Sequence, residues 1–410
     1  MGDRPKGPPD PWTPDDLKKH LQTAVTLELC TIPVYLYALY AINPDPQDGT
    51  DEDKKKAKKI AKDTARNIQR VVKEEMLHLG LAGNILSSIG TRPELYGPER
   101  TPKYELEMFY EPITLHLVPP HEEAIQTFVQ LEAPQQETPG HSRGPGWEVD
   151  RYQSIGEFYE SLEKGLETIH EEMKKKGNAL FDPECKDRQF TGRGMIEVKV
   201  PDNASDKELK KALAAMKLIV AQGEGTKTKT RALTRQKKSH WEIFEELTKV
   251  QIPHHDTVTD PKTDDQTFSE KIKKAMRAFD AVYCYLLLSI ENVWANVTGD
   301  QRTKLLENVT TLMGGMMQPI ALFLVEEKVN DAAGSKRAAP PFNYYHFESI
   351  ESAKDEMIKE LKAAHEAYAT GGFDGLVEEA KGLLDLKELT CEGEPEEAEE
   401  AEESEEKDGN

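Results

Sequence analysis

The segment Val72-Lys-Glu-Glu-Met-Leu-His-Leu79 decides the fold class of this chain. Glu75 and His78 stand three residues apart, so a helix places both side chains on one face. Apolar residues recur at a helical period around them, which directs this face into a helical core. A Glu-x-x-His pair directed inward is part of the ligand set of a metal centre in a helix bundle. Glu74 would replace Glu75 if the helix were rotated.

A second inward-facing carboxylate is predicted in the apolar segment 21–42, where Glu28 is the only charge. Burying a bare charge is very costly, so Glu28 must be paired, protonated or bound to a metal. The length of the segment suits a membrane span. Polar residues and Pro33 interrupt it, however, and no second span follows, so we expect a buried core helix. Tyr35 shares the face of Glu28. It is either a tyrosine packed in the bundle or a residue that relays a proton or an electron.

Three later residues are weaker candidates on their own. Glu157 ends a Ser-x-x-Glu sequence at 154–157, a capping box that would serve the start of a helix. His240 begins a short helix and, taken alone, is more typical of a packed histidine. Glu224 lies between glycines after a helix. A second Glu-x-x-His, at 167–170, lies in a polar part of its helix and indicates a solvated surface.

The chain as a whole is predicted to be mostly α-helical. A capping box at 267–270 is expected to begin the long apolar helix of the C-terminal half. The expected organisation is a flexible lead at 1–13, a metal-binding bundle at 14–255 with an insertion at 91–153, a further helical region at 260–390 packed on the bundle, and a disordered acidic tail at 391–410. Helices are predicted near 15–42, 54–89, 121–131, 154–176, 206–221, 239–250, 272–297, 301–329 and 349–368, with short strands or extended connections within 104–118.

Charge and cysteine content narrow the class of function. The formal net charge is −22, with 75 acidic and 53 basic residues. An acidic surface argues against a nucleic-acid partner and against an anionic membrane. The four cysteines are widely spaced, which argues against a zinc ribbon or a disulfide framework. The first residues lack an apolar signal region, so we expect a cytoplasmic protein.

The segment Leu27-Glu-Leu-Cys-Thr-Ile-Pro-Val-Tyr-Leu36, followed by Glu74-Glu-Met-Leu-His-Leu79, resembles a ferritin-like family. This is the family of the iminophenylpyruvate dimer synthases of the violacein and indolocarbazole pathways. The resemblance covers about residues 15–250 and implies a ferritin-like helix bundle with long inserted connections and an additional C-terminal helical region. The other segments that support it are Phe128-Val-Gln-Leu-Glu-Ala-Pro134, Ile155-Gly-Glu-Phe-Tyr159, Ile219-Val-Ala-Gln-Gly-Glu-Gly-Thr226 and Ser239-His-Trp241.

The resemblance also implies a ligand set. Iron is the expected metal, as one or two ions, and manganese or another divalent metal is the alternative. The family usually has Glu-x-Ser-His where this chain has Lys237-Lys-Ser-His240. The loss of that carboxylate predicts an asymmetric site with a weaker second metal position. The implied ligands are Glu28, Glu75, His78, Glu157 and His240, with Glu224 as a sixth candidate.

The function implied by the resemblance is a metal-dependent oxidoreductase of specialised metabolism. Its substrate would be a small amino-acid-derived or aromatic molecule, with O₂ as a candidate co-substrate and Tyr35 as the candidate catalytic residue. Two alternatives stay open: a lyase or hydrolase that uses a metal-bound water, and a non-enzymatic metal-binding protein. No nucleic-acid or membrane partner is expected, and a homo-oligomer is left open.

Overall fold

The computed structural model describes residues 8–100, 104–106, 108–109, 113–134, 152–191, 206–224, 238–295, 297–332, 334–368 and 373–389. The predicted acidic tail, most of the predicted lead, and Lys237 lie outside these residues. Within them the chain is mostly helical, with one small antiparallel pair of strands, as predicted.

The elements follow one another in an order close to the predicted one. The long helix expected at 301–329 is divided into two α-helices by a π-helical segment, and a helix near 376 was not predicted. The bounds are α1 Pro14–Ala41, α2 Asp51–Ser88, β1 Glu105–Leu106, β2 Ile113–Thr114, α3 Glu122–Leu131, α4 Ile155–Lys175, α5 Asp206–Gly223, α6 His240–Leu247, α7 Glu270–Val293, α8 Gly299–Thr310, the π-helix Thr311–Met317, α9 Gln318–Leu324, α10 Ile350–Ala367 and α11 Leu376–Gly382.

Helix α1 is the central helix of the bundle. It begins with a capping box in which Thr13 and Asp16 exchange hydrogen bonds, and Pro14 occupies its first position. Among the described residues it is the one helix long and apolar enough to cross a membrane, but 83% of its most apolar window is buried inside the protein. It is therefore the buried core helix that the sequence predicts.

The other helices of the bundle pack around α1 and α2. Helix α2 lies along α1; its lysine-rich start is exposed, whereas the half that follows Ile68 is largely buried. Helix α4 packs against α1 and α5, and α6 contacts α2, α3 and α5. The second half of α2 therefore faces helices from three parts of the chain, which is what places several functional side chains together.

The C-terminal helices extend the same hydrophobic core. The Trp294 ring covers Gly83 of α2 so closely that a Cβ there would overlap it, and its Nε1 donates to Oδ1 of Asn84 at 2.9 Å. Helix α7 begins at the Ser269 cap, whose hydroxyl accepts from the N–H of Ile272. The predicted capping box at 267–270 is therefore wrong by two residues, because a turn at 265–267 precedes the helix.

The π-helical segment Thr311–Met317 joins α8 to α9 without a break in the helical path. Its two glycines, Gly314 and Gly315, are the least helix-favouring residues in this stretch. Gly315 lies against the carboxylate of Glu379 on α11, where a Cβ would overlap the carboxylate oxygen. The segment therefore allows a close approach between two helices of the C-terminal region.

Candidate metal centre

Four elements of the bundle direct acidic and imidazole side chains to one buried point. Helix α1 contributes one residue, α2 two, the end of α3 one and the first position of α6 one. None of the five is more than 4% exposed. We refer to them as the carboxylate–histidine cluster: Glu28, Glu75, His78, Glu132 and His240.

Glu75 is the centre of this cluster. Its Oε1 lies 2.7 Å from Nδ1 of His240, and its Oε2 lies 3.6 Å from Nδ1 of His78. The hydroxyl of Thr31 donates to the same Oε2 at 3.1 Å. One ligand atom each from Glu75, His78 and His240 lies within 4.8 Å of the other two. Three donors this close to one another can bind a single ion.

Glu28 stands on the side of the cluster next to His78. Its Oε2 is 3.5 Å from Nδ1 of His78, and its Oε1 accepts a hydrogen bond of 2.6 Å from the hydroxyl of Tyr159 on α4. Tyr159 is fully buried. The phenol therefore fixes one oxygen of Glu28 and leaves the other directed towards the imidazole.

Glu132 lies on the side next to His240, and one of its oxygens makes both of its contacts there. Its Oε1 is 3.7 Å from Nδ1 of His240 and accepts a hydrogen bond of 2.6 Å from the hydroxyl of Tyr35. Tyr35, the predicted catalytic residue, is fully buried and packs on the rings of Phe128 and Phe244. The cluster thus contains two series of contacts from a tyrosine to a carboxylate to a histidine, one on each side of Glu75.

Both imidazoles are oriented through their other nitrogen. Nε2 of His78 lies 2.9 Å from Oε1 of Gln222, and Nε2 of His240 lies 3.1 Å from Oε2 of Glu74. An oxygen acceptor at Nε2 keeps the proton there, so that Nδ1 is the nitrogen available to a metal. Arg70 holds Glu74 from outside at 3.2 Å. Glu74 therefore orients His240 and does not replace Glu75.

In the absence of a metal, protons on the histidines and on Glu28 offset the negative charge of the carboxylates in the cluster. Burial raises the pKa of Glu28 to about 7. Burial alone would lower the pKa of His78, but the Glu75 and Glu28 carboxylates together outweigh burial and raise the pKa to about 10. Burial would raise the pKa of Glu75, but the charges of His240 and His78 lower it below its ordinary value. A metal cation would replace these protons as the counter-charge.

Two observations show that the residues fit a metal. Nδ1 of His240 makes no aligned hydrogen bond with any described residue, although Glu75 is close, so this buried nitrogen has bonding capacity left over. The cluster also borders a cavity of about 10 Å³, lined by Glu28, Thr31, Glu75 and neighbours that include no lysine or arginine. That volume is about the space of one water-sized sphere. Several carboxylates without a basic partner around such a space suit a divalent cation.

Sequence reasoning placed Glu28, Glu75, His78 and His240 among the ligands, and the structure brings these four together. It missed Glu132, which lies in the Phe128–Pro134 segment quoted for the resemblance. The signal was a lone carboxylate after a helix with an apolar face, which is too common a pattern to single out. The distances between the side chains are sufficient to define this grouping.

The structure does not bring Glu157 to the cluster. Its Oε2 accepts from the N–H of Gln153 at 2.5 Å, and its own N–H donates to the hydroxyl of Ser154 at 3.1 Å. Glu157 is only half-buried at the first turn of α4. The Ser154 hydroxyl caps α4 as the Ser-x-x-Glu pattern predicts, but the Glu157 carboxylate accepts from the N–H of Gln153 in place of that of Ser154, so the capping box is not reciprocal. Glu132 stands beside His240 instead.

Glu224 lines the cavity but is held by backbone. Its Oε1 accepts from the N–H of Gly156 at the start of α4, where a Cβ would overlap its Oε2. The expected solvated surface at 167–170 is wrong for His170, which is 8% exposed, packs on Phe181 and lies 3.5 Å from Asp206. Its helix turns this side inward because the face also carries apolar residues.

A family model described as Ferritin-like matches residues 21–249, more than half of the chain and all five residues of the cluster. The chain belongs to the ferritin-like family. A crystal structure of a ferritin-like protein from Caulobacter vibrioides is similar in fold, with a TM-score of 0.54 and 24% sequence identity over 76% of this chain and 95% of that chain. No curated protein matches the sequence.

Proposed function

We propose that this protein is a non-haem, iron-dependent oxidoreductase that acts on a small amino-acid-derived or aromatic metabolite. The observation that supports it best is the buried grouping of three carboxylates and two histidines, with no lysine or arginine in the cavity wall. Mixed carboxylate and imidazole ligation suits iron and manganese. Bound iron would supply electron exchange with O₂.

The residues of the carboxylate–histidine cluster have two different roles in this proposal. Glu75, His78 and His240 would hold the metal, because their ligand atoms are the closest group. Glu28 and Glu132 would complete the ligand set from either side, each with one oxygen fixed by a tyrosine. A tyrosine that fixes one oxygen limits rotation of the carboxylate and so preserves the ligand geometry.

Tyr35 would hold a proton next to the centre. Burial and then the neighbouring Glu132 raise the pKa of its phenol well above the ordinary value, so the hydroxyl keeps its proton at neutral pH. The donor is already aligned on the Glu132 carboxylate at 2.6 Å. Tyr159 has the same relationship to Glu28 and a pKa raised by the same cause. Each phenol can donate a proton without moving its ring.

The apolar wall of the cavity limits access by water. Leu27, Ile155, Ile219 and Val220 line it opposite the carboxylates. Exclusion of water protects a reactive oxidant from side reactions. Because the cavity holds about one small molecule, the organic substrate would bind outside it.

The finer parts of the proposal rest on the resemblance. The iminophenylpyruvate dimer synthase type supports a role in specialised metabolism and an amino-acid-derived substrate. The described cysteines are buried and form no disulfide, which supports a cytoplasmic location: Cys30, Cys185 and Cys284. Manganese is the alternative metal, and a homo-oligomer stays a prediction.

Anaerobic titration with Fe(II), followed by single-turnover O₂ consumption, tests the function. Wild type should bind iron and consume O₂, and His78→Ala should lose most of both. His170→Ala is the matched control, because His170 is also a buried histidine in a Glu-x-x-His sequence but lies outside the cluster.

Three results would contradict the proposal. Equal iron binding in wild type and His78→Ala would remove the cluster as the site. Iron binding without O₂ consumption would favour a non-enzymatic metal protein. Turnover supported equally by zinc would favour a hydrolase or lyase, because zinc has no redox chemistry.

A further inference from the structure

A cleft of about 420 Å³ lies in the C-terminal region, between the loop before α7, the second and third turns of α7, and the segment 343–346. Pockets for small organic ligands have volumes of roughly 300–1,000 Å³. All lining residues of this C-terminal cleft follow residue 249, so they lie beyond the stretch that matches the family model. None belongs to the carboxylate–histidine cluster. The cleft is therefore a separate feature of this chain.

The wall of the C-terminal cleft is fixed before any ligand binds. Asp280 is 3% exposed and accepts hydrogen bonds from the hydroxyl of Thr263 and from the N–H of Asn343, the latter at 2.8 Å. Oδ1 of Asn343 accepts from the N–H of Thr263 at 3.1 Å. The preceding residue, Phe342, has a φ of 50°, a left-handed conformation that costs energy in a bulky residue. Such strain is kept where the surroundings hold it in place.

Basic side chains line the C-terminal cleft, although the chain as a whole is acidic. The protein has a net charge of −22, but Lys262 and Arg277 both line the cleft. Lys262 makes no ion pair with any residue in the described part of the chain. The other acid in the lining is Asp264, whose side chain is 93% exposed and 3.6 Å from Arg277. Burial raises the pKa of Asp280 well above its ordinary value and so disfavours its charged form. Both oxygens of this carboxyl group accept hydrogen bonds inside the protein, from the Thr263 hydroxyl and the Asn343 N–H. The cleft is therefore suited to an anion.

Two half-buried aromatic rings form another wall of the same cleft. Tyr344 packs against Tyr96, with ring centroids 5.2 Å apart. Tyr345 packs against Phe347 at 4.9 Å, and its hydroxyl donates to Glu360 at 3.1 Å. These contacts hold both rings in position. Preformed aromatic faces beside cationic groups are the elements that recognise an aromatic anion.

We propose that the C-terminal cleft binds a small aromatic carboxylate. Its carboxylate would lie at Arg277 and Lys262, and its ring would lie against Tyr344 and Tyr345. Arg277 is the stronger determinant, because a guanidinium can bind both oxygens of a carboxylate, whereas Lys262 offers a point charge. The site requires no metal, since it shares no residue with the carboxylate–histidine cluster.

Equilibrium titration of the full chain with 4-hydroxybenzoate, followed by calorimetry, tests this binding. The matched neutral probe is 4-hydroxybenzamide, which keeps the ring and hydroxyl but has no charge. We expect 4-hydroxybenzoate to bind at one site per chain. The amide should bind at least about tenfold more weakly, since a charge-assisted hydrogen bond contributes roughly one order of magnitude in affinity. Arg277→Gln should weaken carboxylate binding by about the same factor, and raised salt should weaken it further.

Lys55→Gln is the control, because Lys55 is an exposed lysine on α2 outside the lining. It should bind the carboxylate as wild type does, and the melting temperature of each variant shows that it is folded. His78→Ala should also bind it unchanged, which separates this site from the proposed function. No binding, equal affinity for the two probes, or unchanged affinity in folded Arg277→Gln would overturn the proposal. Loss of binding in folded His78→Ala would overturn its independence from the cluster.

Discussion

Nε2 of His78 lies 2.9 Å from Oε1 of Gln222, which stands in the last turn of α5. Helix α5 thus fixes the ring of a histidine that belongs to α2. His240 is fixed in the same way by Glu74, so each imidazole presents Nδ1 to Glu75. The geometry of the centre therefore depends on residues that would not touch the metal.

Gln222→Leu should weaken metal binding and leave the fold intact. The substitution removes the acceptor at Nε2 of His78, and loss of such a partner typically costs about 10–100-fold in metal affinity. Gln222→Glu retains an acceptor oxygen and should restore most of the affinity. Titration of the metal-free variants with Fe(II) or Mn(II) measures the effect. Wild-type affinity in Gln222→Leu would show that packing alone orients the ring.

Glu132→Gln and Glu157→Gln should have different effects. Glu132 faces His240 at 3.7 Å, so we expect Glu132→Gln to lower metal stoichiometry or affinity. Glu157 accepts a hydrogen bond from the backbone at the start of α4, and the amide of Glu157→Gln keeps an acceptor oxygen there. This variant should retain metal binding and lower stability by only about 0.3–1 kcal/mol, through loss of a negative charge in the first turn of the helix. Metal analysis and thermal unfolding of both variants separate the two roles. The reverse pattern would return Glu157 to the ligand set.

Gly156→Ala should destabilise the protein by about 1–3 kcal/mol, the usual cost of overpacking. The added methyl group would overlap the carboxylate of Glu224, which accepts from the N–H of Gly156. Gly382→Ala is the control, because no atom lies within 4 Å of its added Cβ. There a helical alanine should leave stability unchanged or raise it. Urea unfolding compares them, and equal stabilities would mean that Glu224 moves aside freely.

Asp280→Asn should make the protein less sensitive to alkaline pH. Burial raises the folded pKa of Asp280 above its ordinary value of 3.8, so its stabilising contribution is complete below that pH and is lost as pH rises towards the folded pKa. The amide has no such dependence, and it keeps an oxygen acceptor for Asn343. The unfolding free energy of Asp280→Asn minus that of wild type should therefore increase as pH rises above the ordinary pKa of 3.8. A constant difference would show that the pKa is not raised.

Asp280→Ala completes that comparison. It removes the acceptor of the Asn343 N–H and of the Thr263 hydroxyl, and leaving buried donors unpaired costs about 1–3 kcal/mol. It should therefore be less stable than Asp280→Asn at every pH. Equal stability of the two variants would mean that these donors find other partners.

The sequence predicted the parts of the centre that depend on local pattern. Glu75 and His78 are neighbours on one helix face, and Glu28 is conspicuous as a lone charge in an apolar helix, so periodicity was sufficient. His240 needed the resemblance, because a single histidine at a helix start has no local signature. The organisation of most helices followed from the same periodicity and from their caps.

Tertiary contacts decided what the sequence could not. Glu132 enters the cluster only because α3 packs on α6, whereas Glu157 is held away from it by the backbone N–H of Gln153. The buried position of His170 depends on Phe181, eleven residues away and beyond its helix. The buried face of a charge-rich helix cannot be identified from its composition alone.

The π-helical segment Thr311–Met317 has a consequence for how the two helices at its ends can be shortened. A π-helical turn uses one residue more than an α-helical turn, so one residue can be removed from it without rotating the helices on either side. Deleting Gly314 should therefore give an uninterrupted α-helix with the faces of α8 and α9 unchanged. In that shorter helix Gly315 would no longer be placed against Glu379.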